Sequence, residues 1–178
     1  MQKHALAIAA HCAVLVATAG AAETTTRADA PTPLLVRIGD PAASGLVHRS
    51  VRGAIARFSR SEACRLVLHD FQAPTGESLA QVLEARGETP ESHLAGLLYL
   101  DGGAHPGCRS GAIRAYTAPG WRVVYVCAAG FTRSLQRRPA EAEAVLIHEA
   151  LHTLGLGENP PTPRAIQDRV RARCPAPR

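Results

Sequence analysis

The chain has 178 residues, 46% of them hydrophobic and 20% charged, a composition that fits one folded domain and excludes a largely disordered or fibrous protein. Its formal charge of +5 comes from arginines scattered between Arg27 and Arg178, with Lys3 as the single lysine, and aromatics make up only 4%. Scattered charge with few stacking rings argues against a nucleic-acid partner and reads as a solvated basic surface.

Lys3 precedes an apolar run from Ala5 to Ala22 that ends in small residues. That is the layout of a secretory signal peptide, residues 1–22, with the small residues Gly20 and Ala22 placed for a cut before Glu23 and Ala17 and Ala19 offering an earlier one. The run is too short for a comfortable membrane span and no stop-transfer flank follows, so the expectation is an exported, secreted or periplasmic protein without stable membrane insertion. Residues 23–33, rich in Thr and Pro, read as a flexible leader, which leaves one domain over residues 34–178. Cleavage removes Cys12 and leaves Cys64, Cys108, Cys127 and Cys174, an even set that predicts two disulfides outside the cytosol. Of the three pairings, the reading leans to Cys64 with Cys108 and Cys127 with Cys174.

Apolar Val51, Ala54, Ile55 and Phe58 recur at helical spacing and predict an amphipathic helix over Val51–Ala63. A second is expected over Glu77–Arg86, stopped by Gly87. Three short apolar runs follow, Leu97–Leu100, Ala112–Thr117 and Arg122–Cys127, and the last two read as an antiparallel hairpin around Pro119 and Gly120. Phe131–Arg137 reads as a helical turn. A clear helix begins after Pro139, with Glu141 and Glu143 near its positive end, and runs through His152 until Gly155. A basic helix over Pro163–Arg173 closes the chain. The fold class is therefore α+β, with a short, mostly antiparallel sheet packed on the Pro139 helix and its neighbours.

That helix carries His148-Glu149-Ala150-Leu151-His152, an H-E-x-x-H pattern. A spacing of four sets both imidazoles on one face about one turn apart, where they can share a metal ion, while Glu149 faces the water to be activated and can take its proton. With eight histidines in the chain, roughly 0.02 chance occurrences of the pattern are expected. A hydrolytic zinc site takes a third protein ligand and keeps one position open. Glu158 lies six residues beyond His152, and Asp168 is the only carboxylate side chain further on. His48, His69, His93 and His105 have no partner at ligand spacing and read as surface or satisfied core residues. Asn159 is expected to hold the following turn.

From His148 to Glu158 the sequence reads H-E-x-x-H-x-x-G-x-x-E, which resembles the zincin metallopeptidases and, in spacing, their metzincin branch. The resemblance implies a small zincin-like domain, a Zn2+ cofactor held by His148, His152 and Glu158, Glu149 as general base, Gly155 as the turn, and a peptide or protein substrate. It covers about eleven residues. Two features depart from it: metzincins carry a methionine turn and this chain's only methionine is Met1, and a third His or Asp is usual where Glu158 stands. Glutamate as third ligand is a gluzincin habit, there on a later helix, the region of Asp168. The stretch Leu154–Pro161, with the helix from Pro163 to Cys174, also looks like that of small secreted bacterial proteins with the same H-E-x-x-H-T-L-G-L-G-E-N-P-P run. By this reading a substrate peptide pairs with an exposed strand, Ala112–Thr117 or Arg122–Cys127, and Tyr116, Tyr125 and Arg122 are candidates to stabilise an oxyanion. Other function classes compatible with these residues are a secreted, non-catalytic binding module with a structural zinc and an envelope-bound interaction protein that uses its basic surface without metal.

Overall fold

The computed structural model describes residues 33–176; the expected signal peptide, and the leader apart from Pro33, lie outside them. β1 (Leu35–Arg37) leads into α1 (Pro41–Arg60). Asp40 caps α1 by accepting from the Ala43 N–H at 2.7 Å, and Pro41 fills the first turn. The helix thus starts ten residues before the expected Val51. Ala43, Leu46 and Val47 continue the buried stripe of Val51, Ala54 and Phe58, and that burial outweighs Gly45's weak helix propensity. Ser61 ends α1 and caps α2 (Glu62–Arg65), which runs into a short 3-10 turn over Leu66–Leu68.

α3 (Leu79–Ala85) matches the expected second helix and is held by a Ser78–Gln81 capping box. α4 (Pro90–Ala95), capped by Thr89, was not anticipated because six residues carry too little periodicity. β2 (Leu98–Asp101), α5 (Pro106–Ser110), β3 (Ala115–Tyr116) and β4 (Val123–Val126) follow, then α6 (Ala128–Leu135), α7 (Pro139–Thr153) and α8 (Pro163–Arg173).

The strand order is β1-β2-β4-β3. The α+β class holds, but the expected mostly antiparallel sheet is corrected to a mixed one: β1 with β2 and β2 with β4 are parallel, and only β3 with β4 is antiparallel. A parallel neighbour requires a crossover, and both exist, α1 through α4 before β2 and the α5–β3 excursion before β4. Ala115, Tyr99, Val124 and Val126 are buried on the helical side of the sheet. α7 is the centre of the fold, with ten buried residues including both histidines, because Ala142, Leu146, Ile147, Ala150 and Leu151 cover its faces.

Two disulfides form, but neither is an expected pair: Cys64 joins Cys174 and Cys108 joins Cys127. Spacing alone does not determine pairing. The packing of α8 against α2 brings Cys174 within 4.4 Å (Cα–Cα) of Cys64, and α5 sits beside the end of β4, where Cys127 follows. No described helix is long and apolar enough to cross a membrane.

Candidate metal centre

α7 delivers His148 and His152 from consecutive turns, with ring centroids 4.9 Å apart and the Nε2 atoms 3.1 Å apart. The helix then ends in a Schellman turn: the Gly155 N–H donates to His152 O and the Leu156 N–H to Leu151 O. Gly155 has φ 110°, a conformation that side chains rarely adopt, which is why glycine stands there. This turn sets the Leu156 carbonyl to accept from His152 Nδ1 at 2.7 Å. It also sends the chain back so that Glu158 Oε1 lies 3.2 Å from His152 Nε2 and 4.0 Å from His148 Nε2. Asn159 holds the return, but through its backbone, with φ 58° and its N–H on Pro161 O, rather than through its side chain.

The second imidazole is held from outside α7. His148 Nδ1 donates to Gln167 Oε1 of α8 at 3.1 Å, and the Gln167 amide nitrogen faces Glu141 Oε1 at 3.5 Å. Both Nδ1 atoms therefore point their hydrogens at carbonyl oxygens, which leaves a lone pair on each Nε2. Two Nε2 lone pairs and a Glu158 oxygen converge on one point with no donor among them. A cation resolves that convergence. Tetrahedral zinc with ligands at about 2.0–2.1 Å places its ligand atoms about 3.3 Å from one another, and the separations of 3.1, 3.2 and 4.0 Å bracket that value. His148, His152 and Glu158 can hold a metal ion.

Burial and the neighbouring His152 push His148 down to about 4, so it is a neutral imidazole at ordinary pH. Burial, with the Glu158 charge second, pushes Glu149 up to about 8. These residues floor a cleft of about 580 Å³ whose walls include Ala112–Thr117 on one side and Glu158, Pro163, Arg164 and Gln167 on the other. A larger cavity of about 730 Å³ lies beyond Arg114 and is not lined by His148, His152 or Glu158.

The edge of the sheet along the cleft is β3. β4 lies between β2 and β3, so the expectation of Arg122–Cys127 as a peptide-docking strand is corrected: both its edges are occupied. On β3, Arg114 O accepts from the Cys127 N–H, and Tyr116 faces Tyr125 in register. Ala115 between them turns its N–H and C=O to the free edge.

The remaining candidates separate clearly. Asp168 is exposed and paired with Arg164 and Arg171. Arg122 is bound to Glu88 away from the cleft, and Tyr125 stacks behind Tyr116, with ring centroids 5.0 Å apart, leaving Tyr116 as the one of the three on the cleft wall. His93 is a satisfied core residue between Glu88 and Thr153, and His105 caps α5 by accepting from the Gly107 N–H. His48 departs from expectation: its Nδ1 is buried with no partner among the described residues. Gln167 and the Leu156 carbonyl were missed, since a glutamine on a basic helix and a main-chain oxygen carry no sequence signal.

The fold and the site define an α+β protein with a candidate two-histidine, one-carboxylate metal centre at the foot of an edge strand. Comparison with known proteins adds nothing further: no family model, no curated protein and no solved structure matches the chain.

Proposed function

We propose that this protein is an exported zinc-dependent peptidase of zincin type. The observation that carries the reading is the convergence of His148, His152 and Glu158 on one point, with the Glu149 carboxyl on the next helical position of the same cleft floor. Two imidazoles and a carboxylate suit zinc, which would supply Lewis-acid polarisation of a water and of the scissile carbonyl. Glu149 takes the proton of the attacking water and returns it to the leaving amine. Its buried environment disfavours the bare anion, a bound dication would favour the anion again, and a carboxyl between these two influences is suited to taking up and giving back a proton. An extended substrate pairs with the Ala115 N–H and C=O along β3, which sets its carbonyl over the cleft floor. Two disulfides support residence outside the cytosol, in keeping with the apolar segment at residues 5–22.

Glu149→Gln is the decisive variant. It is expected to keep bound zinc, measured by metal analysis of the purified protein, and to lose at least a hundredfold of its rate against a quenched-peptide library, the scale of a lost general base. Undiminished hydrolysis in this variant defeats the assignment. Bound zinc without turnover by the wild type points to an ion that braces the fold instead.

A further inference from the structure

From the last helix, Gln167 reaches His148 of the proposed metal centre. Gln167 is part of α8, whose far end is anchored twice: Cys174 is bonded to Cys64, and Arg173 grips Asp70 with two hydrogen bonds of 2.7 and 2.8 Å. On the cleft side Arg171 binds Glu141, which in turn faces the Gln167 amide nitrogen. The amide is thereby oriented with its oxygen toward His148 Nδ1. His152 has no such external partner, since its Nδ1 is satisfied by the Leu156 carbonyl of its own helix terminus.

We propose that Gln167 is a positioning residue for the metal centre: from α8 it holds the Nδ1–H tautomer and ring orientation of His148, so that Nε2 meets the ion. The proposal rests on the metal reading above and deepens it. An imidazole ligand whose distal N–H is fixed by an acceptor is pre-oriented and more basic, and loss of such a partner typically weakens metal binding by 10–100-fold. Glu141 acts one step further out, by keeping the amide from rotating. The last helix is thus part of the site, though it contributes no ligand.

The test has a readout that needs no metal. In the 15N-labelled, metal-free protein at about pH 8, where imidazoles are neutral, long-range 1H–15N correlations report which ring nitrogen carries the hydrogen. The wild type is expected to show Nδ1–H at both His148 and His152. Gln167→Met, which keeps the side chain's length but removes the acceptor, is expected to shift His148 toward Nε2–H and to leave His152 unchanged; Gln167→Glu restores the acceptor and the wild-type pattern. Zinc affinity, measured by chelator competition, should fall 10–100-fold in Gln167→Met and return to within about threefold of wild type in Gln167→Glu. If Gln167→Met fails to fold, Gln167→Ala makes the same comparison. A zinc-binding wild type matched by Gln167→Met in both tautomer and affinity overturns this inference alone. A wild type that binds no zinc overturns it together with the metal reading.

Discussion

Replacing Cys64 and Cys174 together by alanine removes the longer of two covalent loops, and the size of the loss follows from the pairing. The two disulfides span sequence separations of 110 and 19 residues. Cross-linking lowers the entropy of the unfolded chain with the logarithm of loop length, which gives about 4.8 kcal/mol for the Cys64–Cys174 loop and about 3.2 kcal/mol for Cys108–Cys127. Packing adds to the difference in the same direction, since Cys64 and Cys174 are buried whereas Cys108 is only half-buried. The double variant Cys64→Ala/Cys174→Ala should therefore lose more, with a fall in Tm of roughly 10–20 °C. Equilibrium urea unfolding of both double variants, analysed for midpoint and slope, measures the two losses. The alternative pairing, Cys64 with Cys108 and Cys127 with Cys174, closes two loops of about 4 kcal/mol each, and either double variant would break both, so their losses would be equal. Equal losses, or a greater loss for the Cys108 and Cys127 variant, would refute the reasoning.

Three other outcomes are expected. Ala115→Pro removes the N–H at the free edge of β3 while sparing the bonds to β4; kcat/KM on peptides should drop about ten- to hundredfold with little loss of Tm, and an unchanged kcat/KM rejects β3 as the docking strand. A methyl group at Gly53 collides with the Glu143 carboxylate and pushes it off Arg57, whose guanidinium is buried. Gly53→Ala should thus cost about 3 kcal/mol in urea unfolding, whereas Gly45→Ala, in a roomier part of the same helix, should stabilise by about 0.5–1 kcal/mol; similar effects at both sites would contradict the packing of α1 on α7. Burial holds His93 below its ordinary pKa of 6.5 despite its contact with Glu88. The unfolded chain then binds the proton first, so the His93 contribution is complete above pH 6.5 and is lost as pH falls toward the folded value. His93→Gln should flatten the decline in stability on that acid side, and identical pH profiles for the variant and the wild type would exclude this origin.

Much of the site was readable because its parts are close together in the chain. The i, i+4 histidines, the intervening Glu149 and the helix-ending Gly155 belong to one helix and its cap, where geometry follows from 3.6 residues per turn and from glycine's freedom at φ 110°. Glu158 was within reach for the same reason, and the structure brings it, not Asp168, to the histidines. Gln167 was not readable, because its role depends on where α8 lies relative to α7 and nothing in its own neighbourhood encodes that.

By itself, the order of residues determined the α+β class, the central helix with its paired imidazoles, the hairpin of β3 and β4, and the four cysteines, Cys64, Cys108, Cys127 and Cys174, that lie beyond the apolar segment. These follow from periodicity, capping and turn chemistry, all of which act over a few residues. Tertiary structure alone decided which cysteines join, that β2 lies parallel to both β1 and β4, that β3 rather than β4 presents a free edge, and that α8 holds His148. Each of these joins segments far apart in the chain, and packing around α7 selects among arrangements that local propensity leaves equal.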